Sequence, residues 1–347
     1  METGHFKIYL TTILPQDKRN SKEFRSGTKP PLFYISIHFS EQIMYLFRLV
    51  RFPNLLMIAL TQFLVRYCII IPAFQTEFNI TDEFPQHLSK FDFSLLVIST
   101  LLIAAAGNII NDVFDITADE VNKPGRLIVG KKISIQSARL LYFILSGFGI
   151  IIGVYLAFKI EHPMMALVQV FAAASLWMYS AYYKRRILSG NLLISFLSAL
   201  SLLIVGLYEP EFYRNFVYLL FYSGFAFTVS LTRELIKDAE DVDGDEIAQY
   251  KTLPVRFGVK KSKWVIYLSI LFNVALIYLV FSTFFRNNNV INFWWLLSMF
   301  LVPFLALSYL VYSAEEKKDF YYASLFTKFI MLAGILTMIP FYIYFLA

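Results

Sequence analysis

Six aspartates carry most of the chemistry this sequence can do. Asp112, Asp115 and Asp119 lie in NIINDVFDITADE, and Asp238, Asp241 and Asp245 lie in IKDAEDVDGDE. Each trio is spaced by three and then four residues, and the second repeats the first 126 positions later. On a helix, positions i, i+3 and i+7 share one side. Each trio therefore points its carboxylates one way, to the extent that the helix continues through the third Asp. Two acidic faces repel unless something positive sits between them. Oxygen-only ligands favour Mg²⁺, which takes one or two carboxylates and completes its shell with phosphate oxygens and water. Lys123, Arg126, Lys237 and Lys251 stand beside the trios and suit the phosphate oxygens that metals leave free. The chemistry predicted is metal-assisted handling of a diphosphate.

The flanks repeat as well. Each trio follows an apolar run and precedes a basic, Pro-containing loop, DEVNKPGRLIVGKK in one case and DEIAQYKTLPVRFGVKK in the other. Shared flanks argue against two unrelated solvated loops. An EF-hand reading of DVDGD fails, because Gly244 is fourth and Thr252 twelfth where the motif needs Gly sixth and Glu twelfth. An ion or proton pathway through buried carboxylates is the alternative of a different class. It fits the repeat and the acidity but does not call for the Lys and Arg alongside.

The elements that position these residues are membrane spans. Of 347 residues, 58% are hydrophobic and 16% charged, against about 45–50% and about 25% in soluble domains. The fold class is all-α: a polytopic membrane protein. Nine apolar runs are long enough to cross a bilayer, near residues 52–73, 93–114, 136–158, 163–181, 191–208, 214–236, 264–284, 292–313 and 320–346. With the N-terminus cytoplasmic, KRNSKEFR, NKPGRLIVGKK, YYKRR, YKTLPVRFGVKKSK and EEKK all fall inside, a positive-inside pattern that puts the C-terminus outside. Both acidic trios then lie at cytoplasmic span ends. Arg66 is expected to snorkel outward, and Lys328, within the last span, to face the bundle interior.

The remaining signals bound the class. The net charge of +6 follows topology, so no nucleic-acid partner is expected. Cys68 is the only cysteine, and His5, His38, His87 and His162 show no ligand spacing. Residues 1–40 form a polar, basic extension that reads as a disordered cytosolic tail, while IHFSEQIMYLFRLVRF suits an interfacial helix leading into the membrane domain over 41–347. No evident targeting segment is present, and the expected setting is a bacterial inner membrane.

At its acidic motifs the sequence resembles the UbiA superfamily of intramembrane prenyltransferases. NIINDVFDITADEVNKPGR is similar to that family's first motif, and RELIKDAEDVDGD followed by KTLPVRFG to its second. LFRLVRFPNLLMIALTQ and LWMYSAYYKRRILSGN match the first and fourth spans more loosely. The resemblance covers about residues 44–345. It implies nine helices in one bundle and prenyl transfer from an isoprenyl diphosphate to an apolar or amphiphilic acceptor. On the matching positions, Asp112, Asp115 and Asp119 would hold one Mg²⁺ and Asp238, Asp241 and Asp245 another. Asn108 and Asn111 would orient carboxylates. Lys123, Arg126, Lys184, Lys237 and Lys251 would contact diphosphate, with Arg51, Asn54 and Tyr179 on the acceptor side. The second motif is closest in form to enzymes acting on glycerol-phosphate lipids and some quinone precursors, so an aromatic quinone precursor is the alternative acceptor.

Overall fold

Lipid offers the backbone no hydrogen-bond partners, so an apolar run crossing it must close its own bonds as a helix. A computed structural model describes residues 43–78, 88–125, 127–209, 216–284 and 290–343. The extension over 1–40 and Arg126 lie outside the described residues. Helix α1 (Phe52–Leu64) passes through a π-helical turn, Val65–Ile70, into α2 (Ile71–Phe78). Then follow α3 (Lys90–Phe114), the short α4 (Ile116–Asn122), α5 (Ile135–Lys159), α6 (Ala166–Ala181) and α7 (Ser189–Leu207). The second half holds α8 (Phe216–Glu240), the short α9 (Val242–Ile247) and α10 (Leu253–Phe257), then α11 (Val259–Phe284), α12 (Val290–Ser313) and α13 (Lys317–Leu336). Among the described residues, eight segments are long and apolar enough to cross a bilayer. The remaining expected span falls on α12, of which Phe300–Ser313 counts as a shorter apolar helix.

Local chemistry sets the helix starts. Ser89 caps α3 by accepting from the Asp92 N–H, and Ser134 caps α5 by accepting from the Ser137 N–H. Pro53 opens α1, where its missing N–H costs nothing.

Among the described residues the bundle has three packed centres, one beside each acidic motif and a third in which Val65, Ile69 and Ile70 pack with Phe93, Leu96, Leu156, Val205 and Tyr208. α3 lies against α5 and α6, and Ile109, Ile110 and Val113 pack with Leu49, Val129 and Tyr142. α8 lies against α7, α11 and α13, and Leu235 and Ile236 pack with Leu253, Ile266, Phe304 and Phe320.

Both motif helices stop before the third Asp. α3 ends at Phe114, Asp115 takes φ −93 and ψ 3, and α4 restarts at Ile116. α8 ends at Glu240, Asp241 takes φ −97 and ψ 10, and α9 restarts at Val242. The sequence repeat is thus a backbone repeat, with its bend at the middle Asp of each trio. A single straight helix through each trio does not form.

Arg66, expected to snorkel, does the opposite. It is 1% exposed, and its guanidinium pairs at 3.1 Å with Glu209, itself 2% exposed. It also donates to the Leu88 carbonyl and lies 4.4 Å from the Phe93 ring centre. Hydropathy along one span does not reveal a partner supplied by the end of another. Removing one member of a buried pair strands the other charge, at about 3–5 kcal/mol. Arg66→Met is therefore expected to lower the thermal unfolding midpoint in detergent markedly, and Arg66→Met with Glu209→Gln to recover most of the loss.

Candidate active site

The bends bring the two motifs together. α4 and α9 pack on each other, and the contact is close enough to exclude a side chain. A Cβ on Gly244 would stand 2.2 Å from Asn122 Nδ2 and 2.5 Å from the Ala118 carbonyl oxygen. Asn122 fills this junction. Its Nδ2 donates to the Asp241 carbonyl at 2.9 Å, and its Oδ1 accepts from the Gly244 N–H at 3.2 Å. The same oxygen accepts from Lys317 Nζ at 2.7 Å, which ties the start of α13 to both motifs.

Asp112, Asp115, Asp119, Asp238 and Asp241 each have a positive or amide neighbour, as the low dielectric requires. Lys123 spans the two motifs, 3.7 Å from Asp119 and 3.6 Å from Asp241. Lys184 is bonded to Asp115, which also accepts from Asn111 Nδ2 at 2.7 Å and lies 3.4 Å from the Tyr250 hydroxyl. Burial opposes ionisation of Asp115, but the Lys184 ammonium against it holds its carboxyl below the usual range. Asp238 accepts from Asn191 Nδ2 at 2.9 Å. Arg51 donates to Asp112 at 2.9 Å from a backbone at φ 54 and ψ 53, a left-handed conformation that non-glycine residues hold only under constraint. Burial pushes the Asp245 carboxyl up to about 6, with Asp241 and Asp115 adding to the effect against Lys184.

Beside these groups opens a cavity of about 1100 Å³. Asp112, Asp119, Lys123 and Lys237 line its charged end, together with Arg51, Asn54, Asn108, Asn111 and Tyr179. Tyr222 lines the other end. It precedes Lys237 on α8 by about 22 Å at 1.5 Å per residue, most of the roughly 30 Å hydrocarbon layer. Phe52 and Phe225 are further aromatic lining residues.

The predicted residues do not all serve alike. Asn108 donates to the Val50 carbonyl at 2.9 Å, so it braces the chain before α1. Lys251 points outward, and its backbone N–H donates to Arg185, so the structure does not bring its side chain to the cavity. Asp115, Asp238, Asp241, Asp245 and Lys184 lie behind the lining, within reach of it through the contacts above. Asn122, Arg233 and Glu234 lie within the quoted motif stretches but are not singled out by the sequence. Asn122 is visible there only as a polar residue beside the first motif's basic loop, and Glu234 as a charge inside an apolar run.

The donor set fits a divalent cation. It is all oxygen, and Asp241 Oδ1 is buried with no hydrogen-bond partner. Among the described residues no three acidic, His or Cys side chains stand close enough to hold an ion alone. Such an ion must complete its shell with phosphate and water oxygens, the usual habit of Mg²⁺.

The model of the UbiA prenyltransferase family matches residues 83–338. The chain belongs to that family. This agrees with the resemblance drawn from the acidic motifs and sets aside ion-coupled transport. A digeranylgeranylglyceryl phosphate synthase of Sulfurisphaera tokodaii is 38% identical over 204 residues, 58% of this chain and 69% of that one. Alignments to other leading archaeal relatives of the same name cover 59–61% of their lengths. Among solved structures, one described as digeranylgeranylglyceryl phosphate synthase in membranes superposes with a TM-score of 0.61 at 23% identity, over 87% of this chain and 99% of that one. A UbiA homolog from Archaeoglobus fulgidus bound to GPP and Mg²⁺ superposes at 0.51 and 17% identity, over 85% and 99%. At these identities the likeness is one of fold. The protein is accordingly an integral membrane protein of the family.

The α4–α9 junction can be tested apart from the carboxylates. Gly244→Val is expected to push α9 off Asn122 and cut prenyl transfer by about tenfold or more, a loss of at least about 1.4 kcal/mol in the transition state. Circular dichroism should report unchanged helix content. Full activity in this variant would mean that the packing of the two tips is not needed.

Proposed function

We propose that this protein transfers a prenyl group from an isoprenyl diphosphate to the free hydroxyl of a glycerol-phosphate lipid, with two Mg²⁺ ions. The observation that carries this reading is Lys123 lying between Asp119 and Asp241, where Asp112, Asp119, Lys123 and Lys237 line one cavity. The names of the archaeal relatives support the acceptor. The homolog bound to GPP and Mg²⁺ supports donor and metal.

In this reading Asp112, Asp115 and Asp119 would contribute carboxylate oxygens to one ion and Asp238, Asp241 and Asp245 to the other, with phosphate and water oxygens completing each shell. Bound there, such ions would supply positive charge to offset that on the leaving pyrophosphate. Lys123, Lys184 and Lys237 add fixed positive charge where negative charge develops. Asn111 and Asn191 hold Asp115 and Asp238 in their orientations. The donor's C1–O bond breaks with its electron pair on the pyrophosphate. The acceptor oxygen closes a new bond to C1 and releases its proton to the aqueous mouth. Aromatic walls, Tyr179 and Phe225 among them, steady positive charge on the allyl group without reacting with it. The tail lies along the cavity toward Tyr222, where apolar walls exclude water.

The positive-inside pattern of the basic loops supports motifs at the cytoplasmic leaflet and a C-terminus outside. The relatives named above are archaeal, which lends no support to the bacterial inner membrane expected from the sequence.

Purified protein given Mg²⁺, labelled geranylgeranyl diphosphate and a panel of acceptors should yield product with a glycerol-phosphate ether lipid. Product only with aromatic acceptors would overturn that acceptor. Asp112→Ala and Asp241→Ala should each abolish transfer while the protein remains folded in detergent. Undiminished turnover in either would remove the metal clamp.

A further inference from the structure

Lys328 is a charge well inside a membrane helix. It lies eleven residues beyond Lys317 in the span Lys317–Phe341, about 16 Å along the axis. A buried ammonium at that depth is costly unless something negative or polar meets it. The group it meets is neutral: Nζ stands 3.4 Å from Asn54 Oδ1. Around it the cavity wall carries Arg51, Arg233 and Lys237, whose charges all bear on Lys328.

The acids in this part of the wall do not balance those cations. Asp112 is bonded to Arg51, and Glu234 pairs with Arg233 at 2.7 Å. Arg233 Nε is buried with no hydrogen-bond partner. Lys237 makes no side-chain hydrogen bond or ion pair among the described residues. Across the whole lining Arg48, Arg51, Lys123, Arg233, Lys237 and Lys328 face Asp112, Asp119 and Glu234, so cations exceed acids. Lys123 and Lys184, by contrast, are engaged with the motif carboxylates.

We infer that Lys328, Arg233 and Asn54 form a second phosphate site, separate from the Asp-motif clamp, that takes the phosphate of a phosphorylated lipid acceptor. This rests on the glycerol-phosphate reading above and deepens it. In such an acceptor the phosphate is only a few bonds from the attacking hydroxyl. The hydroxyl must reach the donor's C1, so the acceptor phosphate comes to rest near the diphosphate. Two phosphates held that close repel strongly, and each needs its own cations. An aromatic acceptor without phosphate needs no second set. The side chains are of the right kind, since a guanidinium fork and an ammonium are the usual donors to phosphate. With Oδ1 turned to Lys328, Asn54 keeps its amide N–H groups to give.

Kinetics and binding test this separately, on the full chain in detergent with Mg²⁺. Lys328→Met should raise the KM for the glycerol-phosphate lipid by about tenfold or more, the loss of one charge-assisted hydrogen bond, and leave the KM for geranylgeranyl diphosphate within about twofold. Lys328→Arg should keep most of the acceptor affinity. A rise in the donor KM with the acceptor KM unmoved would assign Lys328 to the diphosphate and overturn the site.

Binding without turnover uses a monoalkyl glycerol ether with and without its phosphate, titrated by calorimetry. The wild-type protein should prefer the phosphorylated lipid, and Lys328→Met should lose that preference. Equal affinity for the two lipids in the wild type, or an unchanged preference in the variant, would overturn the site even if transfer to glycerol-phosphate lipids is seen. A wild-type protein that binds the phosphate through Lys328 but prenylates only aromatic acceptors would keep the site and sink the proposed acceptor instead. Inorganic phosphate displacing the lipid at similar concentration would overturn the lipid assignment, because the site would then read free phosphate and not a headgroup.

Discussion

Asn122 and Gly244 hold together two helix tips whose carboxylates would otherwise drive them apart. The missing Cβ at Gly244 lets α9 approach α4, and the Asn122 amide supplies one donor and one acceptor across the seam. Neutral hydrogen bonds contribute about 1 kcal/mol each. They fix the approach, and Lys123 between Asp119 and Asp241 offsets the repulsion that the approach creates. Lys317, reaching Asn122 from the start of α13, carries the same junction to the last span. The site is therefore assembled from both halves of the chain at one point.

The two halves reach that point by the same route. Asp115 and Asp241 have nearly the same φ and ψ, and each ends a long helix and begins a short one. The bend turns the third Asp of each trio from the span axis toward the partner motif. A straight helix would have carried Asp119 and Asp245 on along their own span axes.

The three-then-four spacing, the span positions and the family are legible in the sequence, because periodicity and hydropathy are local properties. The bends are not. Neither Asp115 nor Asp241 is adjacent to a proline or glycine, the residues that most often announce a break, and tertiary docking of α4 on α9 decides the matter. Arg66 departs from its expected place for a similar reason, since Glu209 belongs to the end of a different helix. Lys251 resembles a site residue through its place in the basic loop, yet its side chain is exposed. Lys328 does face inward, because an ammonium deep in a span has few other places to go. Its partner Asn54 sits on the first span and can be seen only in three dimensions.

Lys123 and Lys184 also bear on the cost of taking up a highly charged ligand. Each already neutralises motif carboxylates. A divalent ion that took those oxygens would release the ammonium groups beside the anion that it brings. Uptake of a metal–diphosphate would then be an exchange of counter-ions within one chamber, not a fresh burial of charge, and the large desolvation term that burial carries would have been met when the chain folds.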